Sequence, residues 1–527
     1  MIPYLLHHFL SAAAERKPEQ VCLVHDRVRS SYADIENNAR RTAGVLIEQG
    51  LRRGDRVALL SFNSRFFVES YFGILRAGGI VVPLNTGVEP RQISFFLADC
   101  GATALILGRG TERMSQGALH GLSDLRVVLT EGPPSLLDLP SELRTMDLEE
   151  AKTAHVGTGP QAKIIDLDTA CIIYTSGSTG RPRGVTLTHL NCVANASAVL
   201  GYLKLTPDDR VLAVLPFYYI YGKSVLDTHI AAGATVVIEN RFLYPETALN
   251  TLASEECTGL SGVPSTFGIL LNRSTFAERR FTHLRYVTQA GGAMSPALTR
   301  RLLEVLPDKE IFVMYGATEA AGRLAYLPPG ELRGAVGCIG RAIDNVELLV
   351  LRPDGTVCDV GETGEIVARG SCLMSGYWND PEETQGVLDG HGYHTGDLAQ
   401  LRPDGNLAIV GRKRDMIKSG AHRIAAKEIE DVILESPDVH EAAVVGAPDE
   451  ILGEAIYAYV VPKSQQISAE ALRVFLGERL PAHKLPAVIN VRRHLPKNEA
   501  GKIMKETLRQ EALAAACSCP SSLVGRL

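Results

Sequence analysis

This 527-residue chain has no basic excess, no paired cysteines and no long apolar run. Its formal net charge is −6. That excludes a general nucleic-acid binder, which needs surplus lysine and arginine to displace counterions. The ten cysteines are scattered, with no C-x-x-C pair and no metal-ligand spacing. Free thiols in a reducing, cytoplasmic setting are expected rather than a disulfide scaffold or a zinc module. Cys517 and Cys519 fall in a polar tail and read as incidental. No window approaches the roughly 20 apolar residues of a membrane span. The segment Met1–Leu10 is apolar but short, lacks a basic start and is broken by His7 and His8, so it does not read as a signal peptide. The spacing of Leu6, Leu10 and Ala13 suits an amphipathic helix instead. There is no fixed-period repeat and no low-complexity block.

What is present is an ordinary globular composition, 45% apolar and 22% charged, in a chain long enough for two or more cores. Over the first 400 residues short Val/Ile/Leu segments alternate with helix-length amphipathic stretches. Residues 56–60 read as a strand, 66–77 as a helix stopped by Gly78-Gly79, and 80–84 as the next strand. Residues 235–238 and 286–289 continue the series. This rhythm predicts an α/β fold with parallel-rich sheets flanked by helices. From about 335 to 410 the segments shorten, and Pro-Asp-Gly turns occur at 353–355 and 403–405. Beyond Gly411–Asp415, a helix at 428–434, strands at 441–446 and 455–461, and a helix at 468–479 read as a small α+β unit.

The densest chemical signal is residues 174–184, Tyr-Thr-Ser-Gly-Ser-Thr-Gly-Arg-Pro-Arg-Gly, directly after the apolar run Cys171-Ile172-Ile173. Glycine frees the backbone to curl and present N–H groups. The hydroxyls of Thr175, Ser176, Ser178 and Thr179 add donors, and Arg181 and Arg183 add charge. Exposed donors and cations are what a polyphosphate requires.

This loop resembles the phosphate-binding signature of the adenylate-forming superfamily of acyl-CoA synthetases, peptide-synthetase adenylation domains and luciferases. Further signatures follow in the family order: Tyr315-Gly316-Ala317-Thr318-Glu319, Gly364-Glu365-Ile366, Tyr393-His394-Thr395-Gly396-Asp397, residues 411–418, and Leu495-Pro496 through Gly501-Lys502. The resemblance covers nearly the whole chain. It implies an AMP-binding domain over 1–411, with a small β-barrel-like subdomain, and a mobile C-terminal domain over 412–527 with a hinge at about 412–415. It also implies ATP and Mg²⁺ as cofactors and an acyl-adenylate made with release of pyrophosphate. Thr175, Ser176, Gly177, Ser178, Thr179, Gly180 and Arg183 would cradle phosphate. Gly291, Gly292, Ala293, Tyr315 and Gly316 would border adenine, with Tyr315 stacking on it. Thr318 would touch the α-phosphate and Glu319 would hold Mg²⁺. Asp397 would accept the ribose hydroxyls, assisted by Arg412. Lys502 would bridge carboxylate and α-phosphate, and Arg414 would be the hinge. The acyl pocket is expected along residues 215–222, with Tyr219, Tyr221, Gly222 and Lys223 at its wall. Lys223 and Asp227 also have the spacing of a local ion pair.

The chain departs from the family at informative places. Arginine replaces the usual lysine at Arg183, and Arg414 stands where Asp or Lys is commoner. Tyr219 occupies the position of a frequent histidine, and the aspartate that holds an amino acid's ammonium is missing. Tyr219 and Tyr221 read equally as aromatic walls that suit a flat or cyclic acid and as core aromatics with satisfied hydroxyls. Ala421 replaces a glycine near the thiol tunnel, and Ala426 a proline. The expected partners are therefore a small carboxylic acid and a thiol acceptor, CoA or a carrier-protein pantetheine. An amine acceptor giving an amide is the alternative, and a non-catalytic nucleotide-binding relative is the reading outside enzymes.

Overall fold

A computed structural model describes residues 3–115, 117–134, 140, 143–155, 163–176, 182–420, 422–449, 451–463, 467–497 and 503–518. Three sheets organise these residues. The first has the strand order Gly376–Tyr377, Pro182–Thr188, Thr169–Ser176, Ile80–Leu84, Arg56–Leu60, Ala102–Leu107, Val127–Thr130 and Arg144–Asp147. Its pairings are parallel from Thr169–Ser176 onward, and antiparallel at the other edge. The apolar runs of this sheet are buried on both faces, as parallel strands covered by helices require. Ile80–Leu84 is buried throughout. Pro83 removes a ladder donor near its end, and pairing to Thr169–Ser176 is confined to Val81 with Cys171 near its start.

The second sheet carries the parallel strands Val21–His25, Thr235–Ile238, Arg210–Ala213, Gly259–Gly262, Tyr286–Gln289 and Glu310–Tyr315. It turns antiparallel at Ala325–Leu327 and runs on through Cys338–Ala342, Leu407–Arg412, Gly392–Leu401, Thr363–Gly370 and Val346–Leu351. The short-strand region expected as a barrel-like subdomain thus grows edge-on from the second sheet through the pairing of Cys338 with Ala408.

One apolar core joins the two sheets. It runs from Val57 and Cys171 through Tyr71, Val199 and Leu226 on helices to Val211 and Val236. The helices Arg65–Arg76, His189–Leu203 and Ile220–Ala232 supply this middle layer. Ser64 and Thr188 cap the first two by accepting from Phe67 and Asn191 N–H. The N-terminal helix His8–Arg16 buries Leu10 and Ala13, as the spacing predicts.

The third sheet contains Met416–Ser419, His422–Ala425, Val439–Asp449, Gly453–Pro462 and Val488–Val491. Helices Ala426–Ile433 and Ala469–Gly477 bury Ile429, Ile433, Leu472 and Leu476 against it in a core of its own. Cys22, Cys100, Cys171, Cys192, Cys257, Cys338, Cys358 and Cys372 are free and buried. Among the described residues no helix is long and apolar enough to cross a membrane.

Candidate active site

The antiparallel hairpin Thr169–Ser176 and Pro182–Thr188 sets Thr175 opposite Arg183 and Ser176 opposite Pro182. Gly177, Ser178, Thr179, Gly180 and Arg181 lie outside the described residues. Arg183 pairs with Glu383 at 2.8 Å and lies over the Tyr377 ring at 5.4 Å. Gly184 is required by close approach. A Cβ there would meet Ile172 at 2.8 Å and Trp378 at 3.1 Å.

Strand Glu310–Tyr315 delivers the second segment. Gly316 permits the following turn, because a Cβ there would lie 2.2 Å from the Gly322 carbonyl oxygen. Thr318–Ala320 is a single 3₁₀ turn, closed by Ala321 in the left-handed region at φ 51°. Glu319 is half-buried, and its Oε1 accepts from the Tyr377 hydroxyl at 2.8 Å. Oε2 takes no partner among the described residues. A carboxylate held by one oxygen, with the other free, fits a hard cation such as Mg²⁺. Thr318 stands at the start of the same turn.

Asp397 lies directly opposite Arg412 on paired strands. Arg412 Nε donates to Asp397 Oδ1 at 2.9 Å, and the Tyr315 hydroxyl donates to Oδ2 at 2.7 Å. Burial and the Asp397 charge hold the Tyr315 phenol well above its ordinary range. The phenol therefore stays a donor, and the carboxylate keeps lone pairs for further hydroxyls. Glu365 supports this corner by accepting from Gly396 N–H at 3.1 Å and from Lys413 Nζ at 3.1 Å.

Gly291 takes φ +81°, and Gln289 Nε2 donates to the Gly292 carbonyl at 2.8 Å, which shapes the loop leading to Ala293. Tyr221 faces this loop. A Cβ on Gly291 would lie 4.0 Å from its ring. The Tyr221 hydroxyl donates to the Thr288 carbonyl at 2.9 Å, and Arg323 packs on the ring at 4.1 Å. Tyr219 precedes the helix and accepts from Asn85 Nδ2 at 3.1 Å. Gly222 has no room for a side chain, since a Cβ would sit 2.1 Å from the Pro216 carbonyl oxygen. Lys223, expected at the pocket wall, is placed elsewhere. Its ammonium is buried against Asp227 at 2.7 Å and Cys192 Sγ at 3.5 Å. One helical turn sets that pair; burial works against the charge, but the Asp227 carboxylate outweighs it and holds the ammonium above its ordinary range.

Arg414 occupies the 3₁₀ turn Lys413–Asp415, and Arg509 Nη2 reaches its carbonyl at 3.5 Å. Lys502 lies outside the described residues, as does Ala421. The segment containing Lys502 is bounded by the bridge of Lys497 to Ile503 and by Met504 N–H donating to Pro496.

Tyr377, Glu383 and Arg323 were not singled out in the sequence. The first two carry no local mark. Arg323 does, as a lone charge in the run Ala320–Ala325. Asp389, His391 and His394 bring ligand atoms within 4.8 Å of one another, but the aspartate and His391 are exposed and already bonded together.

The hairpin, the half-buried Glu319 and the Asp397–Arg412 pair have the arrangement expected of an ATP-dependent, AMP-forming acid ligase. The chain belongs to the AMP-binding enzyme family: residues 10–378 match it and residues 428–502 match its C-terminal domain. It is 32% identical over 487 residues to the long-chain-fatty-acid–CoA ligase FadD13 of Mycobacterium tuberculosis, covering 92% of this chain and 93% of that protein. It superposes on ATP-bound MatB from Rhodopseudomonas palustris with a TM-score of 0.87 at 27% identity, covering 98% of this chain and 100% of the other. The amide bond synthetase McbA from Marinactinospora thermotolerans gives a TM-score of 0.86 at 26% identity, over 96% and 99%.

Proposed function

We propose that this chain activates a compact carboxylic acid as its acyl-adenylate and passes the acyl group to CoA in the cytoplasm. The carrying observation is the convergence of Tyr315 and Arg412 on the two oxygens of Asp397. Segments about 80 residues apart build an acceptor that suits a vicinal diol.

In the first half-reaction a carboxylate oxygen bonds the α-phosphorus of ATP, the α–β bridging P–O bond breaks, and pyrophosphate leaves. In the second, a thiolate attacks the acyl carbon and AMP leaves. Charge gathers on phosphate oxygens, so positioning and electrostatics carry the rate. Mg²⁺, when bound, neutralises phosphate charge. Glu319 is the residue to hold it. Thr175, Ser176, Gly177, Ser178, Thr179, Gly180 and Arg183 cradle the phosphates. Thr318 donates near the α-phosphate. Gly291 to Ala293, with Tyr315 and Gly316, border the adenine. Asp397 and Arg412 fix the ribose. Lys502 supplies the cation at the attacking carboxylate. Residues 1–411 form the nucleotide and acyl domain, and residues 412–527 rotate about Arg414 between half-reactions.

Similarity to a CoA ligase supports CoA as acceptor. Similarity to an amide bond synthetase favours an amine as the second reading. Pyrophosphate release over an acid panel, repeated with CoA and with amines, tests both. CoA-dependent thioester supports the first reading, amide alone supports the second, and no pyrophosphate with any acid overturns both.

A further inference from the structure

Among the described residues, Arg323 is a buried cation without a counter-ion. It is 3% exposed. Among the described residues no carboxylate pairs with it, and its Nε has no hydrogen-bond partner. Nη1 donates to the Gly322 carbonyl at 2.6 Å, the Tyr202 hydroxyl is a second polar neighbour, and the guanidinium plane covers the Tyr221 ring. A carbonyl, a phenol and a π-face do not neutralise a full charge. An uncompensated buried ion is destabilising and persists where something else is gained.

The position of this charge is fixed. The Arg323 carbonyl accepts from Asn195 Nδ2 at 2.8 Å, and Gly322, at φ +114°, sets the turn before it. Gly322 abuts Ile220 and Ser224, with 3.5 and 3.6 Å to a Cβ built there. Tyr221 in turn faces Gly291. Arg323 therefore sits where the helix start, the Gly291–Ala293 loop and the turn after Glu319 meet, at the wall assigned above to the acyl group. A guanidinium fork matches a carboxylate through two parallel N–H···O bonds.

Resting on the acid-ligase reading, we infer that Arg323 selects an acid carrying a second anionic group, a dicarboxylate or its close equivalent. One carboxylate reacts at the α-phosphorus, and the other pairs with Arg323 over the Tyr221 ring.

The test is a set of matched acids in pyrophosphate release: glutarate against pentanoate, adipate against hexanoate, and the three benzene dicarboxylates against benzoate. The wild type should favour the diacid of correct spacing by about 10²-fold in kcat/KM, because a site built for a polar group strongly rejects the analogue lacking it. Arg323→Leu should abolish that preference by raising KM for the diacid while activity on the monoacid is retained. Arg323→Lys should restore part of it. The wild-type comparison stands even if a variant fails to fold. Turnover of monoacids with no diacid preference overturns the Arg323 inference and leaves the ligase reading intact. Pyrophosphate from no acid overturns both.

Discussion

The Tyr377 hydroxyl donates to Glu319 Oε1 at 2.8 Å, and the two residues come from opposite sides of the site. Tyr377 belongs to the two-residue strand Gly376–Tyr377, which pairs with the phosphate hairpin at Val185 and Thr186. Glu319 belongs to the turn beyond the second sheet. A single phenol thus ties the strand beside the Pro182–Thr188 hairpin to the Thr318–Ala320 turn. The Arg183 guanidinium lies over the same ring.

Glu319→Gln keeps this shape and removes the charge. It should depress adenylation and raise the Mg²⁺ requirement at least about tenfold. Tyr377→Phe keeps the ring under Arg183 but frees the carboxylate, and should cost about tenfold, the value of one hydrogen bond to a charged group. Magnesium titrations of pyrophosphate release check both. An unaltered titration in Glu319→Gln shows that the metal is held elsewhere.

Asp397→Asn should raise KM for ATP far more than it lowers kcat, because the ribose anchor is lost and Arg412 is left unpaired. The informative comparison uses 2′- and 3′-deoxy-ATP. The wild type should lose affinity for at least one of them, while the variant should show little further loss, the signature of a shared contact. Equal penalties in both proteins remove Asp397 from the ribose.

Lys502→Ala should abolish adenylation, about 10²–10³-fold or more, while thioester formation from supplied acyl-AMP survives. Arg414→Pro fixes φ near −65° and should separate the half-reactions the other way, sparing adenylation and blocking transfer. Pyrophosphate exchange and thioester assays on each variant decide. Wild-type exchange in Lys502→Ala rejects the lysine, and undisturbed overall turnover in Arg414→Pro rejects the hinge.

Stability should fall in mild acid. Burial pushes His189 down to about 4, where its Nδ1 accepts from Leu6 N–H, with the Asp168 and Lys223 charges acting in opposite directions. Burial likewise pushes His229 down to about 4, between the Val225 carbonyl and the Tyr286 hydroxyl. An unfolded histidine titrates near 6.5. Between about 6.5 and 4 the unfolded chain therefore binds protons that the folded one does not. The stabilisation is complete above 6.5, falls with pH at up to about 1.4 kcal/mol per unit per group, and levels off below 4. Urea midpoints at pH 7.5 and 5 should differ accordingly, and His189→Gln should flatten part of the slope. Equal midpoints refute the assignment.

The parts of this site legible in the sequence are those whose geometry is local or fixed by strand register. Asp397 and Arg412 face each other because consecutive strands pair, and both fall in recognisable segments. The β-branched runs at residues 56–60 and 80–84 became strands with those bounds because burial on both faces leaves little freedom. What was hidden depends on tertiary meetings. Nothing near Tyr377 announces Glu319, 58 residues away. No local pattern announces that Arg183 pairs with Glu383, 200 residues further along the chain. Of the two readings the spacing of Lys223 allows, pocket wall or local ion pair, the structure shows the ion pair with Asp227. The short strands after residue 335 carried no sign of the edge they would extend, since edge choice is decided by the neighbouring sheet.

The Gly376–Tyr377 strand also imposes an order on synthesis. The first sheet is otherwise complete once Pro182–Thr188 has left the ribosome, but that strand's outer edge finds its partner only about 190 residues later. At 5–20 residues per second this takes roughly 10–40 s. For that interval the nascent chain exposes an unpaired edge, the feature that invites pairing with other chains. The two residues that cover the hairpin thus also end the interval in which that edge is open to other chains.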